Sequence, residues 1–270
     1  MWIDIHPRGA YVKAMFPSLF LSHGAPTLPF DDCPARDFLK SLGREVGRPD
    51  AILVASAHWD TSTPLVNAPP VNATIHDFRG FPEALYELTY PAPGDVHLAE
   101  RTASLLGTAG LSAEIDRSRG LDHGAWVPLM LMYPDADIPV TQLSIQSGQG
   151  AHHHIALGRA LVPLRDEGVL VIGSGSFTHN LRALDRSGDA SAEPAWSIEF
   201  SDWIHEKLIA RDDTALAQYR AHAPHAAIAQ PSDDHFVPLH VAYGAGGREV
   251  RRLHKSATFG SLRMDAYAFG

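Results

Sequence analysis

The stretch Leu19-Phe20-Leu21-Ser22-His23-Gly24-Ala25-Pro26 decides the fold, because in it a buried strand gives way to a loop that carries a histidine. The apolar run Leu19–Leu21 predicts a short buried strand, and the Gly-Ala-Pro turn ends that strand. In open α/β sheets, the loops that follow the carboxyl ends of the strands line the functional crevice. We therefore expect His23 to lie in such a crevice.

Two further stretches repeat this arrangement of an apolar run followed by a histidine. Ala51–Ala55 is followed by Ser56-Ala57-His58-Trp59, and Val169–Ile172 is followed by Gly173-Ser174-Gly175-Ser176-Phe177-Thr178-His179-Asn180. If the three strands are parallel and adjacent, the residues that follow them meet at one edge of the sheet. The sequence thus predicts that three imidazoles converge on one crevice.

The alternation of strand and helix patterns predicts an α/β fold, with a central, mainly parallel sheet flanked by helices. Strands are predicted over 19–21, 51–55, 140–145 and 169–172, with a weak strand signal in 256–269. Helices are predicted over 34–42, 82–88, 96–106, 127–133, 152–164, 196–211 and 214–221. The 270 residues fit one domain, residues 1–270, because no linker divides them.

The first residues and the single cysteine bear on where the protein resides. Residues 1–15 are predicted to be an N-terminal extension, and they lack the apolar segment and cleavage site of a signal peptide. No apolar stretch approaches the ~20 residues of a membrane span. Cys33 cannot form an intrachain disulfide, which fits a reducing compartment. We therefore expect a cytoplasmic protein with no membrane partner.

The composition argues against nucleic acid as a partner and draws attention to histidine. The net charge is −9 at pH 7, and no basic stripe is present. The chain contains 16 histidines, and imidazole is both the commonest transition-metal ligand and an acid or base near pH 7. Most of the 16, including the tract His152–His154 on a predicted helix, are expected to have no chemical role.

A metal site is one interpretation of the histidines that follow the strands. His23 and His58 are placed alike relative to their strands, and neutral imidazole pairs suit iron, zinc, copper and nickel. The polar turn Asp233-Asp234-His235 offers a third ligand, although either acid could instead cap the helix that follows. From the residues alone, a metal site and a polar cluster satisfied by water both stay open.

Two more histidines lie in predicted loops with small or acidic neighbours. Each of them, His123 in Asp122-His123-Gly124 and His179 in Thr178-His179-Asn180, could be a base, a ligand or a packed polar residue. The segment Gly173-Ser174-Gly175-Ser176 lacks the lysine and spacing of a phosphate-binding loop, and it also lacks the G-x-S-x-G pattern of a nucleophilic serine. We therefore expect neither of these two chemistries at that turn.

Five motifs, taken in chain order, resemble one known family. They are Ser22-His23-Gly24-Ala25-Pro26, Ser56-Ala57-His58-Trp59, Leu121-Asp122-His123-Gly124-Ala125-Trp126, Gly173-Ser174-Gly175-Ser176-Phe177-Thr178-His179-Asn180-Leu181 and Asp234-His235-Phe236-Val237-Pro238-Leu239. The chain, from about Phe16 to its C-terminus, resembles the DOPA-dioxygenase branch of the class III extradiol ring-cleavage dioxygenases, the LigB-like superfamily.

The resemblance implies a metal centre and roles for five histidines. It implies a mononuclear non-haem Fe(II) enzyme, although some relatives hold zinc. It implies metal ligation by His23, His58 and His235, with His123 and His179 acting in acid/base and oxygen chemistry and His179 close enough to be an additional ligand. One departure is visible, because Gln230-Pro231-Ser232-Asp233 stands where the family usually has His-Pro-Thr-Pro.

The resemblance also implies a reaction, the extradiol opening of a catechol ring by O₂. The expected substrate is L-DOPA, cleaved at the 4,5 bond to 4,5-seco-DOPA, which closes to yellow betalamic acid. Alternatives are cleavage of another catechol, a zinc hydrolase built on the same histidines, and a zinc-holding or peptide-binding relative without dioxygenase activity. A small-molecule catechol and O₂ are then the expected partners.

Residues that would contact the substrate are predicted from their positions beside the motifs. Trp59 and Phe177 could wall an aromatic pocket, and Gln230 lies just before the third expected ligand. The carboxylate and ammonium groups of an amino-acid substrate also need partners. Candidates for these are Arg79, His76, His225 and Gln230.

Overall fold

The computed structural model describes residues 15–185 and 192–270, so the predicted N-terminal extension, residues 1–15, lies outside the described residues except for Met15. Ten strands occur in the described ranges, and eight of them form one sheet. The strands are β1 (Ser18–Ser22), β2 (Ala51–Asp60), β3 (Leu65–Asn67), β4 (Glu114–Asp116), β5 (Val140–Ile145), β6 (Val169–Gly175), β7 (Val250–His254), β8 (Ala257–Thr258), β9 (Leu262–Arg263) and β10 (Ala266–Phe269).

The sheet is parallel at its centre and antiparallel near both edges. The strand order is β4-β3-β5-β2-β6-β1-β10-β7. The neighbours β5, β2, β6 and β1 pair in parallel, whereas β10 pairs antiparallel with β1 and β7, and β3 pairs antiparallel with β5. The carboxyl ends of the four central strands therefore lie at one edge of the sheet. This is the single α/β domain with a mixed, mainly parallel sheet that the sequence predicts.

Helices cover both faces of the sheet. They are α1 (Pro34–Val46), α2 (Val96–Thr108), α3 (His123–Met132), α4 (Gly150–Ala160), α5 (Pro163–Asp166), α6 (Ala195–Ala210), α7 (Asp213–Ala217), α8 (Tyr219–His222), α9 (Ala226–Ala229) and α10 (Val237–Ala245). Alternate strand residues pack against α1 and α3 on one face, as Ile52 and Val54 do. The residues between them, such as Leu53, pack against α2, α4 and α10 on the other face. Burial on both faces explains why the central strands are continuous apolar runs.

Two strands extend further than their apolar runs, and this changes the setting of one expected ligand. The strand β2 continues to Asp60, so His58 lies within the end of the strand and not in a loop after it. The register between β2 and β5 shifts between Ala55 and Asp60, which marks a bulge-like irregularity that can re-aim a side chain. The strand β6 likewise continues through Gly175. The sequence does not predict these extensions, because the apolar pattern stops at Ala55 and Ile172 and small or polar residues follow.

Three strands are not predicted from the sequence. The strands β4 and β7 lie at the two edges of the sheet and carry charged residues, as in Val250-Arg251-Arg252-Leu253-His254. Charged edges are a common protection against pairing with other chains, but they blur the alternation that identifies a strand. The strand β3 has only three residues, which is too short to give a pattern.

Helix ends differ from prediction where tertiary packing decides them. Gly43 and Gly47 are predicted to end the first helix, but Gly43 lies inside α1, where an added Cβ would collide with the Met132 carbonyl of α3. The helix ends at Val46, and Gly47 follows with a left-handed φ of 87°. The predicted helix 152–164 divides into α4 and α5 before Pro163, and 214–221 divides into α7 and α8. The segment predicted as helix 82–88 forms a single 3₁₀ turn, Glu83–Leu85.

The start of α10 also differs from the expected capping. No side chain caps this helix, and the Asp233 backbone carbonyl accepts hydrogen bonds from the Phe236 and Val237 amides instead. The Asp233 carboxylate contacts Tyr219 and Arg220, and the Asp234 carboxylate contacts His235. Within residues 15–185 and 192–270, no helix is both long enough and apolar enough to cross a membrane.

Candidate metal centre and active site

Three histidines converge at the carboxyl edge of the central strands. His23 follows β1, His58 lies near the end of β2, and His235 lies in the turn before α10. The Nε2 atom of His58 is 3.1 Å from Nε2 of His23 and 3.2 Å from Nε2 of His235. These three are the expected metal ligands, and the structure brings them together from sequence positions that are far apart.

The outer nitrogen of His23 is held by a serine that the sequence did not single out for this purpose. His23 Nδ1 lies 3.0 Å from Ser174 Oγ, in β6. The Ser174 hydroxyl donates its proton to the Gly124 carbonyl, so it accepts from the Nδ1–H of His23. That hydrogen bond fixes the tautomer in which Nε2 of His23 carries a lone pair.

The other two histidines have carboxylates at their outer nitrogens. His58 Nδ1 is 3.2 Å from Asp77 Oδ2, and His235 Nδ1 is 2.8 Å from Asp234 Oδ2. Carboxylates at these positions favour protonated Nδ1 atoms and orient the rings, an arrangement that usually supports metal-binding histidines. Burial would raise the pKa of Asp234, but the hydrogen bond and charge of His235 outweigh it and hold that pKa well below its usual range.

The three inner nitrogens fit a transition-metal ion. Burial, and then the neighbouring histidines, lower the pKa of His23 and of His58 well below the ordinary histidine value, which favours neutral rings. Three ligand atoms within 4.8 Å of one another then present lone pairs to the same point. A divalent cation satisfies these lone pairs at once, and imidazole suits iron and zinc equally. His23, His58 and His235 are therefore the residues that would hold a metal ion.

His123 lies beside this cluster and shares a carboxylate with it. It is the first residue of α3, with Asp122 as the N-cap, and not the loop residue that the sequence predicted. Asp77 Oδ1 accepts from the backbone N–H of His123 at 3.0 Å and from its Nδ1 at 2.9 Å. Asp77 thus contacts both His58 and His123. Burial would raise the pKa of Asp77, but contacts with the two histidines outweigh this and lower it to about 2.

A buried carboxylate anchors the start of α3. Asp122 is completely buried, and it accepts hydrogen bonds from Ser56 Oγ at 2.6 Å, from Arg119 at 3.1 Å and from the Gln142 amide. These donors satisfy a charge that would otherwise be costly to bury. The network ties the start of α3 to β2 and β5, and so it fixes the position of His123.

His179 completes the group of five histidines. Its ring stacks on that of His235, with centroids 3.4 Å apart and planes 10° from parallel. Its backbone N–H donates to the Ala229 carbonyl at 2.8 Å. Burial, followed by the proximity of His235, lowers the pKa of His179 to about 3, so the ring is neutral. The side chain is next to an expected ligand but outside the cluster of three that could bind a metal.

All five histidines line one cavity of about 900 Å³. A volume of this size is typical of small-molecule sites. Apolar and aromatic side chains form much of the remaining wall, to which Asp31 and Asp234 add two acidic side chains and Arg79 adds one basic side chain. The larger apolar wall residues are Phe78, Phe81, Leu181, Leu184, Phe259 and Leu262.

The three residues predicted to contact the substrate do not line this cavity. Trp59 is buried and packs under the Arg119 guanidinium at 4.6 Å. Phe177 lies in a bend just after β6, and its ring packs in the core and stacks on Tyr267. Gln230 is fully buried and donates to the Ser176 and Phe177 carbonyls. The described structure gives each of them a structural role.

Of the candidates for binding the polar end of an amino acid, only Arg79 lies on the cavity wall. His76 contacts the Leu88 carbonyl, and His225 pairs with Glu199 at the surface. Sequence reasoning missed Asp77, Phe78 and Phe259. Asp77 and Phe78 lie in an irregular segment after β3, and no sequence pattern distinguishes them from their neighbours there.

Gly175 is required where β6 passes the third expected ligand. A Cβ at this position would overlap the His235 carbonyl oxygen, and the Ser176 amide donates to the same oxygen at 2.8 Å. We predict that Gly175→Ala lowers the free energy of unfolding by about 1–3 kcal/mol and reduces metal affinity, because the added methyl displaces His235. Thermal unfolding and metal titration measure the two effects.

Gly107→Ala in α2 is the matched control for Gly175→Ala. A Cβ at Gly107 meets no other atom within 4 Å, and alanine is a better helix former than glycine. The control variant should keep or slightly raise the stability and should bind metal normally. Unchanged stability and metal affinity in Gly175→Ala would contradict the close approach described above.

Residues 17–269 match the family model described as "Catalytic LigB subunit of aromatic ring-opening dioxygenase". The chain belongs to the LigB family. It is therefore an extradiol ring-opening dioxygenase, and the alternatives of a zinc hydrolase and of a non-catalytic relative are set aside. LigB-family enzymes are metal-dependent, in keeping with the three-histidine cluster.

Individual relatives agree with this LigB assignment. The chain is 46% identical to a "4,5-DOPA dioxygenase extradiol" of Beta vulgaris, over 93% of this chain and 96% of that protein. It is 39% identical to a protein of the same name from Escherichia coli (strain K12), over 94% of both chains. The crystal structure of an uncharacterized Escherichia coli K12 protein superposes with a TM-score of 0.79 at 35% identity, covering 94% of this chain and 100% of that one.

Proposed function

We propose that this LigB-family chain is an Fe(II)-dependent dioxygenase that opens L-DOPA at the 4,5 bond. The product would be 4,5-seco-DOPA, which closes to betalamic acid. The observation that carries the proposal is the convergence of five histidines on one cavity, three of them with Nε2 atoms directed at a common point. The choice of L-DOPA rests on the names of the relatives, "4,5-DOPA dioxygenase extradiol".

The proposed ligands are His23, His58 and His235. When bound by them, Fe(II) supplies one centre at which both catechol oxygens and O₂ can be held and electrons can pass between them. Zn(II) fits the same three nitrogens and is expected in some preparations, but zinc has no redox chemistry to offer. Three neutral ligands leave the charge of the cation uncompensated, which favours an anionic catecholate as the substrate form.

His179 is proposed to take the proton from a catechol hydroxyl oxygen. Its ring lies against His235 and faces the cavity, so it is next to the place where the hydroxyl must lie when the diol approaches the three ligands. A neutral imidazole has an unprotonated nitrogen available to accept that proton. The stacked arrangement also fixes the ring plane, which pre-orients the base.

His123 is proposed to hold a proton and to deliver it to oxygen that comes from O₂. Its Nδ1 is engaged by Asp77, so Nε2 is the nitrogen that can exchange a proton with the cavity. The ring centroid of His123 lies 3.9 Å from that of His58, within reach of the same reacting atoms. The contact with Asp77 also orients the ring, as the partner of a general acid or base does.

The cavity wall complements an aromatic amino acid. Phe78 and Phe81 present an apolar surface for a ring, with centroids 5.3 Å apart. Arg79 and Asp31 provide opposite charges on the same wall, suited to the carboxylate and ammonium groups of a zwitterion. Gln230, which stands where relatives usually have histidine, is turned away from the cavity and so would not contribute to this recognition.

We expect the protein, loaded with Fe(II) without oxygen and then exposed to air, to convert L-DOPA to a yellow product. Mass spectrometry should show the addition of two oxygen atoms followed by the loss of water on cyclisation, with uptake of O₂ at an electrode. Catechol and 4-methylcatechol serve as controls that lack the amino-acid group. Unchanged L-DOPA alongside rapid opening of either control would reassign the natural substrate to another catechol.

A further inference from the structure

Phe259 has a backbone conformation that its residue type disfavours, and its side chain lines the catalytic cavity. It lies in the loop between β8 and β9 with a φ of 49°, followed by Gly260 with a φ of 73°. A bulky residue in the left-handed region is an outlier, whereas glycine or asparagine occupies it at little cost. Residues with strained backbones cluster at ligand-binding sites, where the contact between side chain and ligand offsets the strain.

The surrounding hydrogen bonds hold this turn in place. The Phe259 carbonyl accepts from the Asp185 and Ser261 amides, both at 2.9 Å. The Ser261 hydroxyl donates to the Ala183 carbonyl, and the Ser261 backbone carbonyl accepts from the Thr178 hydroxyl. The loop that carries Phe259 is therefore tied to the segment that carries His179, and the two line the cavity together.

The ring of Phe259 remains accessible in a protein that buries most of its aromatic side chains. It is 37% exposed, and Leu181, on the same cavity wall, is 57% exposed. An exposed apolar wall gains free energy when an apolar ligand covers it. An aromatic ligand gains a further increment from ring–ring contact with phenylalanine.

We propose that Phe259 is a substrate-binding residue that packs against the aromatic ring of the bound catechol. The proposal rests on the proposed function, since it concerns the same cavity and the same class of substrate. It explains why phenylalanine stands at a position where asparagine would relieve the backbone. The contact is made by the ring, so it should be shared by catechols with and without an amino-acid side chain.

The test is the substitution Phe259→Asn, with Phe259→Tyr as the conservative variant. Phe259→Asn should unfold at the same temperature as the parent protein or a higher one. Its dissociation constants for L-DOPA and for catechol, measured by calorimetry without oxygen on the metal-loaded protein, should rise about three- to tenfold. Phe259→Tyr should bind both compounds like the parent. In turnover, the loss should appear in KM and leave kcat largely unchanged.

His225→Asn is the matched control, because His225 also carries a ring and has a left-handed φ of 57° but lies outside the cavity wall. It should keep the parent's stability and affinities. Unchanged affinity in Phe259→Asn, a rise for L-DOPA but not for catechol, or no binding of either compound to the parent would overturn the proposal. Binding is measured without turnover, so failure of the proposed oxygenation would be recognised separately, by tight binding without ring opening.

Discussion

Replacing His23 by alanine is expected to abolish both metal binding and ring cleavage. The parent should retain about one Fe(II) per chain after anaerobic loading and desalting, whereas His23→Ala should retain almost none. The reason is geometric, since His58 and His235, whose Nε2 atoms lie 3.2 Å apart, supply only two of the three nitrogens of the site. Metal analysis of the desalted protein and O₂ uptake with a catechol measure the two losses.

The control for this experiment is His152→Ala. His152 is exposed on α4 and belongs to the histidine tract His152–His154, which resembles a metal-binding sequence more closely than the true candidates do. His154 in that tract is fully buried, and its Nε2 accepts from the Gln146 amide, so the tract has a structural role. His152→Ala should keep full metal content and activity. Full metal occupancy in His23→Ala would refute the assignment of the ligands.

The convergence of the site could be predicted because it follows from the topology of the sheet. Three apolar runs that are each followed by a histidine are a local signal. Parallel pairing of β1, β6 and β2 then brings the ends of those runs together. His235 could be identified as a candidate because it lies in a polar turn directly before an apolar helix. Its contact with His58 spans 177 positions in the chain, and only the fold establishes it.

The groups that support the histidines could not be predicted in the same way. Asp77 lies in an irregular loop, and Ser174 lies in a strand where small residues have several explanations. Each acts through specific contacts between side chains that are distant in sequence, and such contacts produce no periodic pattern. For the same reason Trp59 and Phe177 were expected beside the substrate. Trp59 adjoins His58 in β2, but successive strand residues point to opposite faces. Phe177 lies two residues before His179 in an irregular turn, and only the fold shows that its ring packs in the core.

Replacing His179 or His123 by alanine is expected to leave metal binding intact while ring cleavage falls by roughly 10²–10⁴-fold, the usual worth of general acid/base assistance. His179 stacks on the proposed ligand His235 without belonging to the three-nitrogen cluster, and His123 is held by Asp77 at its outer nitrogen. Each variant should therefore retain about one Fe(II) per chain and still bind a catechol without oxygen.

The outcome for His179→Ala decides its role, because two roles predict different losses. If His179 only moves a proton, metal content stays at the parent level and only the turnover rate falls. If metal is lost together with activity, His179 is a fourth ligand, and the stack on His235 reflects a shared ion. His97→Ala, at an exposed position on α2, is the control and should change neither quantity. Normal turnover in both His123→Ala and His179→Ala would refute the acid/base mechanism, since no other histidine in the described residues lines the cavity besides the three proposed ligands.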